Sequence, residues 1–232
     1  MRRSSSLLVL LLLAASTSAF AQTVQDAVIA DPDHHQVILE NDHVRVIQAL
    51  VAPGSQSPLH SHPPLVLVSL DRARGKMTTA QGTGILDVYP GQVLWLGAPF
   101  EHSWEMVSGT ANIVGVEVKS ALAGQVPSPG PLPENTAVTA DPVHHNVILD
   151  NEHARVFSAL ASRGETSPMH SHPPTVLISL GRARSRLTLP DGTSAIFGLT
   201  PGQVIWLEDA SHSWEIVSGE VDIIGVEIKS AQ

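Results

Sequence analysis

The feature that most constrains the fold of this chain is an internal repeat. Residues 31–74 and 141–184 align without gaps at an offset of 110, and 28 of the 44 aligned positions are identical. The similarity resumes in three shorter blocks: PGQV at 90–93 and 201–204, HSWE at 102–105 and 212–215, and GVE at 115–117 and 225–227. A repeat of about 90 residues is too long for a solenoid unit that is buried only by its neighbours. The sequence therefore predicts two copies of a small domain, at 31–120 and at 140–230.

The first residues have the pattern of a secretory leader. Two arginines at 2–3 precede an apolar run at 7–15, and Ala-Phe-Ala at 19–21 fits the small-x-small cleavage pattern. This arrangement predicts a signal peptide at 1–21, and its apolar run is too short to span a bilayer. We therefore expect a secreted or periplasmic protein with no membrane partner after cleavage.

A proline-rich segment joins the two units. Between residues 121 and 139, proline stands at positions 127, 129, 131 and 133. Because proline-rich segments are extended and semi-rigid, residues 121–139 are predicted to form a linker between the two domains.

Composition excludes several classes of function. The chain has no cysteine, which excludes a disulfide scaffold, a Cys-ligated zinc site, an iron–sulfur cluster and a thiol nucleophile. With 13 Lys plus Arg against 22 Asp plus Glu, the formal net charge is −9. The chain lacks the basic stripe that phosphate contacts need, so no nucleic-acid partner is expected. The composition does provide 12 histidines, and any metal must be held by imidazole and oxygen.

Each unit is predicted to be all-β. Four short runs of the first unit are rich in Val, Ile and Leu and are bounded by turn residues: Val44 to Val51, Pro64 to Leu70, Val93 to Leu96 and Asn112 to Val118. No sustained 3.6-residue periodicity follows the leader. Many short strands at regular spacing favour a sandwich or a barrel, so the two units together are predicted to be two small β-barrels.

Three histidines at matched positions in each unit give the strongest functional signal. Each unit has a His-Ser-His pair, and two residues that alternate on a strand leave the same face. Another histidine follows 40 residues after each pair. Three imidazoles suit zinc, iron, copper or nickel and leave coordination positions open for water or substrate. The predicted metal ligands are His60, His62, His102, His170, His172 and His212.

These residues resemble the two sequence motifs of the cupins. The first motif, a glycine, five residues and His-x-His, is matched at 54–62 and 164–172. The second motif begins with Pro-Gly and ends with the third histidine, as at 90–102 and 201–212. The resemblance covers both units and implies a bicupin. Each unit would then be a double-stranded β-helix, or jelly-roll, barrel with a metal ion near its mouth.

The chain departs from the metal-binding cupins of the germin type at one ligand. Those cupins carry a glutamate about four residues after His-x-His, whereas this chain has Val-Leu at 66–67 and 176–177. The loss of that negative charge argues against manganese oxalate-oxidase chemistry. A neutral three-histidine site instead resembles that of cupin thiol and diketone dioxygenases, which implies Fe(II), with Zn, Mn, Ni or Cu as alternatives. Glu105 and Glu215 are expected on the face opposite the third histidine.

Four further residues are candidates for substrate binding. Arg45 and Arg155 alternate with valines, so a guanidinium that faces the barrel could hold a substrate carboxylate, although an ion pair with neighbouring acids is favoured. Trp95 and Trp206 lie near the third histidine in sequence and could wall a small apolar pocket. The other histidines are expected in surface turns or caps: His34, His35, His43, His144, His145 and His153.

Two functions are compatible with these features. The first is a metal-dependent enzyme, a dioxygenase-like oxidoreductase that acts on a small organic substrate, since the chain has no GxSxG, HExxH, P-loop or dinucleotide motif. The second is a non-catalytic protein that binds or senses a metal or small ligand, because no general acid or base stands beside the histidines. Since cupin barrels commonly pair through their sheets, the resemblance also implies that a homo-oligomer could form.

Overall fold

The computed structural model describes residues 23–124 and 134–229, which form two β-barrels. The predicted signal peptide and the four prolines of the predicted linker lie outside the described residues. These two ranges contain three one-turn helices: α1 (Ala27–Ala30), α2 (Lys119–Leu122) and α3 (Ala137–Ala140). None of the described helices is long and apolar enough to cross a membrane.

The first barrel is an antiparallel jelly roll of two sheets. Residues 23–124 contain nine strands: β1 (His35–Glu40), β2 (Val44–Val51), β3 (Gln56–His62), β4 (Leu65–Ser69), β5 (Ala73–Thr79), β6 (Gly82–Val88), β7 (Val93–Leu96), β8 (Phe100–Gly109) and β9 (Ala111–Val118). One sheet has the order β1-β2-β9-β4-β7, and the other has the order β3-β8-β5-β6. The predicted all-β architecture is confirmed, and the four predicted apolar strands are β2, β4, β7 and β9.

The second barrel repeats this arrangement. Residues 134–229 contain eight strands: β10 (His145–Asp150), β11 (Ala154–Ser162), β12 (Thr166–His172), β13 (Thr175–Ser179), β14 (Arg182–Thr188), β15 (Ser194–Leu199), β16 (Val204–Leu207) and β17 (Ala210–Ile228). The long β17 takes the places of β8 and β9, since it pairs with β12 and β14 in its first half and with β11 and β13 in its second. Helix α3 precedes β10 as α1 precedes β1, so the described part of the second unit begins before residue 140.

A glycine is required where each barrel passes from one sheet to the other. Gly109 and Gly219 both have a left-handed backbone, with φ of 75° and 78°. A Cβ atom added to Gly109 would lie 2.3 Å from the carbonyl oxygen of Arg72, and one added to Gly219 would lie 2.1 Å from that of Arg182. Any other residue at these positions would strain the backbone and clash with the neighbouring strand.

A hydrophobic core lies between the two barrels, and residues of both barrels form it. Along β2, Val44 and Val46 face the other barrel, whereas Ile47 and Ala49 line the interior. A strand that is buried on both faces has a continuous run of apolar residues. This explains why the sequence analysis identified β2, β4 and β9. The shared core contains Val44, Val46, Val66, Val68, Val114, Val116 and Val118 from the first barrel, and Ala154, Val156, Val176, Ile178, Ile224, Val226 and Ile228 from the second.

Reciprocal aromatic contacts join the barrels at the edges of this core. The ring of His43 stacks on Trp206 at 5.6 Å between centroids, and the ring of His153 lies 5.9 Å from that of Trp95. Trp95 and Trp206, considered above as pocket walls, therefore lie between the barrels. The expectation that His43 and His153 occupy surface turns is corrected in the same way, because each imidazole contacts the opposite barrel.

Candidate metal centre

The three histidines predicted to share a metal in the first barrel lie together. His60 and His62 are on β3, and the pairing of β3 with β8 places His60 opposite His102. The ring centroids are 4.4 Å apart for His60 and His102, 4.9 Å for His60 and His62, and 5.4 Å for His62 and His102. The sheet register thus brings the third ring to the pair despite the 40 residues between them.

The second barrel holds its three predicted ligands in the same way. His170 lies opposite His212 in the pairing of β12 with β17. The ring centroids are 4.8 Å apart for His170 and His212, 5.0 Å for His170 and His172, and 5.2 Å for His172 and His212. Both barrels therefore contain the predicted cluster, and ligation of a metal by its members remains a prediction.

A fourth histidine, which the sequence analysis placed in a surface turn, joins each cluster. His35 is 3% exposed, and its ring centroid lies 4.7 Å from that of His60. Ligand atoms of His35, His60 and His62 all lie within 4.8 Å of one another, and His145 makes the equivalent group with His170 and His172. The turn assignment of His35 was wrong because β1 begins at this residue and pairs it with the inward-facing Ala49.

Hydrogen bonds determine which ring nitrogen of His60, and of its counterpart His170, is available to bind a metal ion. Nδ1 of His60 lies 2.8 Å from the carbonyl oxygen of Pro58, and Nδ1 of His170 lies 2.9 Å from that of Pro168. Each Nδ1 therefore carries the hydrogen and donates it, which leaves Nε2 with the lone pair. Both Nε2 atoms are buried and have no hydrogen-bond partner among the described residues. A lone pair buried in this way costs about 1–3 kcal/mol, so these residues fit a bound metal ion.

Asp31 holds the fourth histidine in place. Its carboxylate accepts hydrogen bonds from the Ser57 hydroxyl and from Nδ1 of His34 at 2.8 Å, and its carbonyl oxygen lies 3.3 Å from Nδ1 of His35. Burial raises the pKa of Asp31, but the hydrogen bonds from Ser57 and His34 outweigh it and hold the pKa below its ordinary value. Asp141 has the same role in the second barrel. His34 lies in the turn where the sequence analysis placed it.

Burial keeps the clustered imidazoles neutral. In the first barrel, burial and then repulsion from neighbouring imidazoles lower the pKa of His102 to about 2 and that of His35 to about 4. In the second barrel, burial and the neighbouring imidazoles lower the pKa of His212 to about 3 and that of His145 to about 4. Neutral imidazole is the form that binds a metal ion, so these four histidines are in the ligating state at neutral pH.

A buried carboxylate stands behind His62. Oε1 of Glu117 lies 3.9 Å from Nδ1 of His62, and neither atom has a hydrogen-bond partner among the described residues. The other carboxylate oxygen of Glu117 accepts a hydrogen bond from Arg45, which also pairs with Asp26 at 2.5 Å. At 3.9 Å the pair is just beyond hydrogen-bond distance. A carboxylate behind an imidazole is the arrangement that orients metal-binding histidines.

The second barrel also has a buried carboxylate behind a cluster histidine. Oε1 of Glu227 lies 3.8 Å from Nδ1 of His172, and Arg155 pairs with Glu227 at 3.2 Å and with Asp150 at 3.1 Å. Arg45 and Arg155 were considered either as carboxylate-binding groups or as partners of neighbouring acids. In the structure both guanidinium groups form ion pairs with acids. The sequence analysis missed Glu117 and Glu227, although the repeated GVE block contained them.

An apolar cavity lies beside each histidine cluster. Its volume is about 190 Å³ in the first barrel and about 150 Å³ in the second. His35, His62 and His102 reach the first cavity, and aliphatic and aromatic side chains complete its wall, including Trp104. Trp214 takes the place of Trp104 in the second barrel. The site therefore combines buried nitrogen donors with apolar surroundings.

The two glutamates expected to point away from the site do so. The side chain of Glu105 is 50% exposed and pairs with Lys76, and that of Glu215 is 46% exposed and pairs with Arg186. Neither glutamate lines the cavity of its barrel.

Comparisons with known proteins identify the architecture. No protein-family model and no curated protein matches the sequence. Among solved structures, the chain is similar to a cupin 2 conserved barrel domain protein from Leptotrichia buccalis, with 13% identity over 84% of this chain and 88% of that chain and a TM-score of 0.53. It is also similar to the protein YhaK from Escherichia coli, with 14% identity over 86% and 89% of the two chains and a TM-score of 0.52.

A third similar structure is a mutant of Bacillus subtilis oxalate decarboxylase. The identity is 15% over 85% of this chain and 72% of that chain, and the TM-score is 0.52. At such identities the likeness shows the fold. The chain therefore has the bicupin architecture, with two cupin-type barrels that each contain a histidine cluster suited to a metal ion.

We expect Glu117→Gln to weaken metal binding in the first barrel by about 10- to 100-fold, because the amide lacks the charge that orients and polarises the imidazole in front of it. Chelator competition with Zn²⁺ measures this in protein whose second site is removed by His170→Ala and His172→Ala. Glu105→Gln is the matched control, since that side chain is half exposed and lies outside the cavity. Equal zinc affinities for the two variants would contradict the role of Glu117.

We also expect the metal-free protein to lose stability as pH falls below about 6.5. The pKa of His102 is about 2 and that of His35 about 4 in the folded protein, against 6.5 for an ordinary histidine. Between these values the unfolded chain takes up protons that the folded protein does not. Each such histidine therefore removes about 1.4 kcal/mol of unfolding free energy per pH unit.

Urea denaturation in the presence of a chelator, from pH 8 to pH 5, measures this effect above the range in which most carboxylates titrate. The account predicts a constant unfolding free energy above pH 7 and a steep decline below pH 6.5. An unfolding free energy that stays flat down to pH 5 would show that the imidazoles are not held neutral.

Proposed function

We propose that the protein is an exported, metal-dependent enzyme, a dioxygenase-like oxidoreductase that acts on a small organic substrate. One observation carries this proposal: in each barrel, buried imidazoles converge, one of them with a buried and unpartnered nitrogen, beside an apolar cavity. Such a cluster provides metal ligands, and such a cavity provides a place for an organic molecule next to them. Export is supported by the leader pattern of the sequence.

The donor set favours a transition metal. His35, His60 and His62, whose ligand atoms lie within 4.8 Å of one another, would hold the ion in the first barrel, with the neighbouring ring of His102 as the fourth donor. Their counterparts would hold it in the second barrel. Imidazole nitrogen suits Fe, Zn, Cu and Ni better than Mg or Ca, which prefer oxygen ligands. We favour Fe(II), with Zn, Mn, Ni and Cu as alternatives, because Fe(II) supplies a reactivity toward dioxygen that protein side chains lack.

The side chains around the cluster have supporting roles. The backbone carbonyl of Asp31 accepts a hydrogen bond from the ring of His35, and Glu117 places a buried carboxylate 3.9 Å behind the ring of His62. In the proposed enzyme these two groups would orient the rings toward the metal ion. The apolar walls exclude water from the cavity and so limit competing hydrolysis. The protein's part in the proposed reaction is therefore to hold the ligands, orient the substrate and keep water out.

The likeness to oxalate decarboxylase does not lead us to propose that activity. In the described residues, no Asp, Glu, Lys or Arg lines either cavity. A dicarboxylate whose second carboxylate entered this cavity would place that charge against hydrocarbon, where an unpaired charge is strongly disfavoured.

A second candidate is a non-catalytic protein that binds a metal or a small ligand. The observation that favours it is that histidines are the sole titratable side chains lining the two described cavities. If these histidines all bind the metal, no separate general acid or base stands beside a substrate.

Dioxygen uptake distinguishes the two candidates. Protein loaded anaerobically with Fe(II) is mixed with small organic acids, thiols or diketones, and uptake is recorded with an oxygen electrode. The enzyme proposal predicts substrate-dependent uptake that is lost in His60→Ala with His170→Ala and kept in the exposed-surface control Glu105→Gln. Stable metal binding with no turnover, for Fe(II) and for the alternative metals, would contradict the enzyme and support the binding protein.

A further inference from the structure

We propose that each cavity takes a ligand with a single polar end and an uncharged apolar body of about six heavy atoms. The polar end meets the histidine cluster, and the body fills the cavity beyond it. This inference rests on the proposed metal-binding function and adds the chemical class of the molecule that the metal site serves.

The distribution of charge around the cavity sets the polarity of the ligand. Histidines line one end of each cavity, and the remaining lining is apolar except for Ser185 in the second barrel and the indole nitrogens. The nearby acid Glu117 lies with Arg45 and Asp26 in an adjoining polar pocket, which meets the apolar cavity at His62. There its charge is paired with that of Arg45, and none of the charged residues of that pocket lines the apolar cavity. A ligand atom at the far end of the cavity therefore meets hydrocarbon and has no counter-ion, so that end is uncharged.

The volume of the cavities sets the size of the ligand. At about 190 Å³ and 150 Å³, they are smaller than typical drug-binding pockets. A cavity of about 150 Å³ lined by Leu, Ile and Phe accommodates a benzene-sized molecule. The two barrels thus have room for a body of about six heavy atoms beside the cluster.

The two cavities place their aromatic side chains differently. In the first barrel the ring of Phe100 lies 4.7 Å from that of His102, and the repeat places Ala210 there in the second. In the second barrel Phe157 stacks on His172 at 5.7 Å, at the position that Ile47 occupies in the first. The second cavity also has Phe197 at the place of Leu86 in the first. The aromatic side chains therefore lie on different strands of the two cavities, so the barrels select bodies of different shape around the same polar end.

Isothermal titration of zinc-loaded protein tests the ligand class, because zinc has no redox chemistry and permits no oxidative turnover. Benzoate has one polar end and a six-carbon body, whereas terephthalate has the same body with a second carboxylate. Benzoate is expected to bind at least about tenfold more tightly than terephthalate. Equal affinities would overturn the proposal while leaving the metal site intact.

A pair of adjacent residues supplies a gain-of-binding test. Leu86 lines the first cavity, whereas Ile85 beside it on β6 is 52% exposed. Leu86→Ala removes three carbons from the wall, and 4-isopropylbenzoate adds three to the body. This probe is expected to bind zinc-loaded Leu86→Ala at least about tenfold more tightly than the unaltered protein or the control Ile85→Ala. If 4-isopropylbenzoate binds Leu86→Ala and Ile85→Ala with the same affinity, the proposal that the apolar body of the ligand lies in this cavity would be overturned.

Toluene separates failure of this inference from failure of the proposed function. It has no polar end, so it is expected to bind the metal-free protein and raise its Tm. If the protein binds no zinc but is stabilised by toluene, the result would contradict the proposed metal site and support the apolar cavity as a binding site. A protein that binds zinc but neither toluene nor benzoate would contradict the ligand class and keep the metal site.

Discussion

Imidazole rings that are buried against one another inside a barrel resist protonation, because each added charge would lie in an apolar interior. In the first barrel, four such rings lie with neighbouring centroids 4.4–5.5 Å apart. Protonation of one ring would bury a charge beside its neighbours, and burial, together with repulsion between the imidazoles, lowers the pKa of His35, His60 and His102. Neutral rings retain lone pairs that need a partner, and the surrounding groups (the Pro58 carbonyl, Asp31 and Glu117) engage or face the Nδ1 side. The fit to a metal ion follows from this constraint.

Duplication supplies two such sites on one scaffold. Strands β2, β4 and β9 of the first barrel bury their outer faces against β11, β13 and the second half of β17, so the shared core supports strands that line both interiors. The histidines, the aspartate and the glutamate that support them recur in both units, whereas the cavity walls differ at Ile47 and Phe157 and at Phe100 and Ala210. The protein thus has the same donor set twice, beside cavities of different shape.

The sequence predicted the strands that are buried on both faces and the three matched histidines, because both features are local. The polar strand β3 was recognised by its histidines alone, since it lacks the apolar run that marks β2 or β9. His35 was missed because its place in the cluster depends on the pairing of β1 with β2, and Glu117 because it depends on the approach of β9 to His62. Trp95 was misplaced because the packing of one barrel on the other is invisible in either unit alone.

The most direct test of the account is metal analysis of the protein purified without added metal. The account predicts two divalent ions per chain, one ion in the variant His60→Ala with His62→Ala, and none when His170→Ala and His172→Ala are added. An unaltered protein that contains no metal, or a metal content unchanged by loss of all four histidines, would contradict the claim that these clusters are metal sites.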